Sequence, residues 1–157
     1  MRKRLITPTP ETVRSRGQGW LDVERTALVE FTSEEKDYPV ESAFVSGETR
    51  GWRAASPGAQ TIRVVFDQPQ RLKHISLVFE ENETTRTQEF VLRWSSNGGD
   101  SFQEIVRQQW NFSLPSTKRE VEEYQVDLPN VTVLELTIVP DISGGDARAS
   151  LKSLHLS

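Results

Sequence analysis

The chain has 157 residues, 35% of them hydrophobic, no cysteine and a formal net charge of −4. That length suits one compact core. No apolar run reaches the roughly 18 residues of a membrane span, and the lack of cysteine excludes disulfide frameworks, thiolate nucleophiles and zinc-thiolate sites.

Residues 1–19 carry Arg2, Lys3, Arg4, Arg14 and Arg16 against Glu11, with two prolines, two glycines and no apolar periodicity. They read as a solvated basic arm. Thr7-Pro8-Thr9-Pro10 stands where the apolar stretch of a secretory signal would lie, so a cytoplasmic protein is expected. Residues 20–157, the expected folded domain, hold 14 basic and 22 acidic side chains, a net −8. Residues 39–44 suit one helical turn with Pro39 at its first position, the one helix expected.

From there strand signals dominate. Over residues 60–67, Ile62, Val64 and Phe66 share one face while Arg63 and Asp67 take the other, the alternation of a half-buried strand. Ile75, Leu77 and Phe79 repeat it, as do Phe90, Leu92 and Trp94, then Leu134, Leu136 and Ile138, and finally Leu154 and Leu156 around His155. Between Trp94 and Phe102, Asn97-Gly98 supplies residues that tolerate positive φ in a tight hairpin. Short strands with turns at these intervals make an all-β sandwich or barrel, and the pattern excludes α/β folds.

Catalytic signatures are missing. There is no His-Glu-x-x-His, no Gly-x-Ser-x-Gly elbow and no dinucleotide fingerprint, and Gly98-Gly99 belongs to a hairpin, not to a phosphate-binding loop. His74 and His155 alternate with apolar residues and so point off the core. With 23 acidic residues, chance carboxylate pairs are guaranteed and none marks a hydrolase. The expectation is a protein that is not an enzyme, with no catalytic residue, metal or cofactor.

Phe31-Thr32-Ser33-Glu34, the turn at 39–44, Gly51-Trp52-Arg53-Ala54, the hairpin at 94–102, Leu136-Thr137-Ile138-Val139-Pro140 and Lys152-Ser153-Leu154-His155-Leu156 follow in the order and spacing of the discoidin, or coagulation-factor C-type, domain. Residues 27–157 therefore resemble the galactose-binding-like superfamily. Locally, residues 52–65 look most like the N-terminal domain of the X-ray repair cross-complementing scaffolds of DNA single-strand break repair. The resemblance implies an eight-stranded jelly-roll β-sandwich that grips ligands with loops at one end.

Those loops would be residues 32–38, 81–88 and 111–120, which makes Glu35, Lys36, Tyr38, Glu81, Asn82 and Arg86 the candidate ligand contacts. Two roles suit Tyr38: stacking on a sugar or protein partner, or packing on Pro39. Arg86 suits a fork of hydrogen bonds to a ligand or an ion pair with Glu81 or Glu83. Trp52, Trp94 and Trp110 read as core plugs and Trp20 as a pin for the arm. Many glycan-binding members hold a structural calcium through an Asp-Gly loop before this tryptophan. Here Ser46 occupies the Asp position, which argues against calcium, while Glu48 keeps a weak site open.

Fold alone does not assign a ligand. A carbohydrate or a protein surface is the expected partner. The alternative is a repair scaffold binding a repair protein or nicked DNA, but a net acidic body suits phosphate poorly, so only the basic arm would hold nucleic acid. No membrane partner is expected.

Overall fold

The computed structural model describes residues 19–157, so the basic arm lies outside the described residues except for Gly19. A four-residue helix, α1 (Val23–Thr26), is the first element of the described residues, its first turn capped by the Asp22 carboxylate, which accepts from Arg25 N at 3.3 Å. The sequence reading missed it, although Asp is a preferred N-cap. Eight strands follow: β1 (Ala27–Phe31), β2 (Trp52–Arg53), β3 (Gln60–Glu80), β4 (Arg86–Ser95), β5 (Gln103–Phe112), β6 (Arg119–Val139), β7 (Ser150–Leu151) and β8 (Ser153–Leu156). The turn expected at 39–44 is a 3-10 helix over Val40–Ala43, with Pro39 just before it as cap.

The sandwich is built on two long strands. β3 and β6, 21 residues each, pair antiparallel along their length, with register shifts between Val65 and His74. Those irregularities bend the pair, so each strand serves both sheets. The first half of β3 lies between β1 and the end of β6, which continues into β4 and then β5. The second half lies between β8 and the start of β6. Segments read from sequence as separate strands at 60–67 and 75–79 are thus one strand crossing a corner.

The expected inward faces are buried. Ile62, Val64, Phe66, Ile75, Leu77, Phe79, Phe90, Leu92, Leu134, Leu136, Ile138, Leu154 and Leu156 join one core. Phe79 of one sheet stacks on Phe90 of the other at 5.2 Å between centroids. The outward face of the five-stranded sheet carries a charge ladder, Glu30, Arg63, Glu135, Arg93 and Glu104 standing opposite one another across β1, β3, β6, β4 and β5. Glu135 bonds Arg63 at 2.7 Å and Arg93 at 2.8 Å. Burial would raise its carboxyl, but the two guanidinium groups outweigh that and hold it below the usual carboxylate range.

At the β4–β5 hairpin, Gly98 and Gly99 both have positive φ, +73° and +96°, as the turn requires. Trp52 is buried, whereas Trp94 and Trp110 are half-buried. Trp20 packs on His74 and His155, at 5.2 and 5.5 Å between centroids. No described helix is long and apolar enough to cross a membrane.

Candidate functional site

One end of the sandwich carries a groove of about 220 Å³ lined by Tyr38, Arg50, Arg53, Asn82 and Lys152 among others. An adjoining one of about 260 Å³ adds Glu35, Glu81 and Arg148 and shares Arg53, Glu80, Asn82 and Ser150 with the first. The backbone brings these distant segments together. β2 pairs with β7, Trp52 opposite Leu151. Just before it, Gly51 has φ +73°, and a Cβ there would stand 2.6 Å from the Leu151 carbonyl oxygen. Only glycine permits that approach, which sets Arg50 and Arg53 beside Lys152.

The loop at 32–38 is stitched to the same strand. The Trp52 indole N–H donates to the Ser33 carbonyl at 2.9 Å. Glu35 N donates to the Arg53 carbonyl at 2.8 Å, and Arg53 N donates to the Tyr38 carbonyl at 3.2 Å. Tyr38 thereby takes neither expected role alone. The Arg53 guanidinium carbon lies 4.3 Å from its ring centroid, and that of Arg50 lies 6.0 Å away, so the ring carries cations.

Across the groove, Glu81 organises its own loop. One carboxylate oxygen accepts from Glu83 N at 2.9 Å and Thr84 N at 3.3 Å, and the other from Arg86 Nε at 2.6 Å. Burial would raise the Glu81 carboxyl, but these donors prevail and lower it. The turn they form leaves Asn82 exposed at its tip.

Arg86 takes the second of its two expected roles, the ion pair with Glu81, and its place among the ligand contacts is corrected. It begins β4, its side chain is 0% exposed, and it cannot meet a ligand at the rim. Its guanidinium donates to Glu81, to Gln88 Oε1 at 3.1 Å and to the Pro140 carbonyl at 2.7 Å, and it stacks 4.7 Å from the Phe112 centroid. Gln88 in turn donates to buried Glu120 at 3.3 Å. Burial, then the hydrogen bond and charge of Glu122, push the Glu120 carboxyl up to about 8. Residues 86–88, 111–112 and 119–120, expected in loops, are therefore strand.

The remaining candidates divide. Tyr38 and Asn82 line the first groove, Glu35 and Glu81 the second, and Lys36 is exposed outside both. Arg50, Arg53, Arg148 and Lys152 were missed. Arg53 and Lys152 stood within family-like motifs, but their sequence signal was that of strand packing.

The calcium that the fold family implies does not fit these residues. Among the described residues no group of three or more His, Asp or Glu side chains could hold a metal ion. At the loop in question the Lys152 ammonium donates to the Thr49 carbonyl and lies 3.8 Å from the Glu80 carboxylate. A fixed cation of the chain already bridges that loop to the strands.

No protein-family model matches the sequence, and no curated protein is significantly similar to it. Solved structures are similar. The family 32 carbohydrate-binding module of C. perfringens NanJ, in complex with galactose, superposes with a TM-score of 0.61 at 16% identity, over 83% of this chain and 97% of that one. The chain shares this galactose-binding-like β-sandwich fold. The family 32 module of AlyQ, in complex with 4,5-unsaturated mannuronic acid, gives 0.60 at 15%, over 84% and 95%. A pectin-binding module gives 0.61 at 14%, over 84% and 90%. In the segment locally resembling repair scaffolds, Trp52, Ala54, Ile62 and Val64 are buried, whereas residues 55–59 and Arg63 are exposed.

Proposed function

We propose that the chain is a non-catalytic recognition module that binds a carbohydrate in the groove between Tyr38, Asn82 and Lys152. The observation that carries this reading is the groove itself, formed by loops at one end of a sandwich whose fold neighbours include modules solved with sugars. Its lining of guanidinium, ammonium, amide and carboxylate groups suits a polyhydroxyl ligand. A flat apolar patch, the signature of a protein-binding surface, is not what the rim presents.

The repair-scaffold reading has no comparable support, because residues 20–157 are net acidic and suit phosphate poorly. A glycan array probed with the full chain tests the proposal, followed by calorimetric titration of any hit. Asn82→Ala is expected to weaken that hit roughly tenfold, the worth of a well-placed hydrogen bond, with an unchanged melting temperature because Asn82 is exposed at a turn tip. An array with no hits removes the carbohydrate reading.

A further inference from the structure

We infer that the sugar this groove takes is an acidic one, a ring bearing a carboxylate; the inference rests on the carbohydrate reading above. The groove is locally positive on a protein that is otherwise acidic. Arg50, Arg53 and Lys152 line it against one carboxylate, Glu80, whereas residues 20–157 together carry a net −8.

The pairing pattern leaves those cations short of partners. Glu35 bonds Arg148 at 2.6 Å and reaches Arg53 only at 3.9 Å. Glu80 bonds Arg119 at 2.8 Å and reaches Lys152 only at 3.8 Å. Both Glu35 and Glu80 are thus held more tightly by an arginine that does not line the first groove. Among the described residues, Arg50 has no carboxylate within 4.0 Å. Positive charge is positioned there with no carboxylate on Arg50 and only shared, distant ones on Arg53 and Lys152.

Tyr38 points to the same ligand class. A neutral sugar on an aromatic platform needs a bare ring face, but Arg53 stands over this ring and Arg50 beside it. A guanidinium held over an aromatic ring still has N–H donors to offer, in a fork that matches the two oxygens of a carboxylate. The tyrosine thereby orients the arginine in place of the ligand. Asn82, on the opposite loop, offers an amide donor and acceptor to ring hydroxyls.

Calorimetric titration of the full chain tests this with trigalacturonate, trimannuronate and sialyllactose, each beside a neutral counterpart: the methyl ester of each uronate trimer, and lactose. At least one acidic sugar is expected to bind roughly tenfold or more tighter than its counterpart, and the arms distinguish uronates from sialic acids. That affinity falls as salt rises from about 50 to about 500 mM, since the groove is open to solvent. Arg50→Gln lowers it roughly tenfold without moving the melting temperature. Equal affinity for acidic and neutral members overturns the inference while the carbohydrate reading stands. Equal binding of polyglutamate also overturns it, marking a general polyanion surface. Failure of every sugar, here and on the array, overturns both.

Discussion

Replacing Arg86 separates a structural arginine from a ligand-binding one. The guanidinium is fully enclosed and makes an ion pair with Glu81 and hydrogen bonds to Gln88 and the Pro140 carbonyl, so Arg86→Ala strands two buried acceptors and leaves the partly buried Glu81 carboxylate without its cation. Breaking a buried pair from one side costs about 3–5 kcal/mol. For a domain of this size each kcal/mol moves the melting temperature by about 2–4 °C, so the loss is roughly 6–20 °C. Circular dichroism on heating and urea titration at pH 7 measure it, with Asn82→Ala as the exposed control from the same loop. Sugar titration of the variant, well below its melting point, completes the comparison. A melting loss under about 2 °C accompanied by loss of sugar affinity would refute the internal role and return Arg86 to the binding surface.

Glu120→Gln tests the buried carboxyl. Because its folded pKa of about 8 lies above the ordinary carboxyl value of 4.5, the native state keeps a proton that the unfolded state releases, so stability is full below the lower value and declines as pH rises to the upper one. The glutamine variant should flatten that decline in urea midpoints taken at pH 5.5, 7 and 8.5; an unaltered slope would assign it to other groups. Excess EDTA and excess calcium should leave the melting temperature of the parent chain the same, and a calcium-dependent rise would contradict the reading of Lys152 as the loop's cation. Lys152→Met should cost about 1.5–3 kcal/mol, the range for a hydrogen bond to a charged group, read as a lower urea midpoint, and no loss would show that the Thr49 contact contributes nothing.

Strand parity explains most of what was legible. Alternation named the inward residues of β3, β4, β6 and β8 correctly because each packs a sheet face, where a one-residue error would expose the whole set. The same parity, carried two steps back along β4, also reaches Arg86: Arg86, Gln88, Phe90 and Leu92 are all buried on one face. The loop assignment stopped that count at Gln88 because polar residues suggest solvent. Likewise β6 begins at Arg119, in a stretch whose many acids conceal its strand character. Polar residues are admitted to the interior here because Arg86, Gln88 and Glu120 are linked in a hydrogen-bonded chain, although one Arg86 nitrogen and one Glu120 oxygen have no partner among the described residues.

The groove was harder to read because its cations come from positions far apart in sequence, joined only by close backbone approach. Gly51 carries that information, but in sequence its positive φ and its near contact with Leu151 are invisible; it reads as one more turn glycine. Once the approach is known, charge partition follows from reach. Arg148 and Arg119 take Glu35 and Glu80 at hydrogen-bonding distance, leaving Arg53 and Lys152 only distant contacts with the same carboxylates. Arg53 in β2 and Arg86 at the start of β4 carry the same side chain at one end of the sandwich. One is neutralised inside by a carboxylate it does not share, and the other is left over a tyrosine with its donors open, which is why the second, and not the first, is the arginine to examine with an acidic sugar.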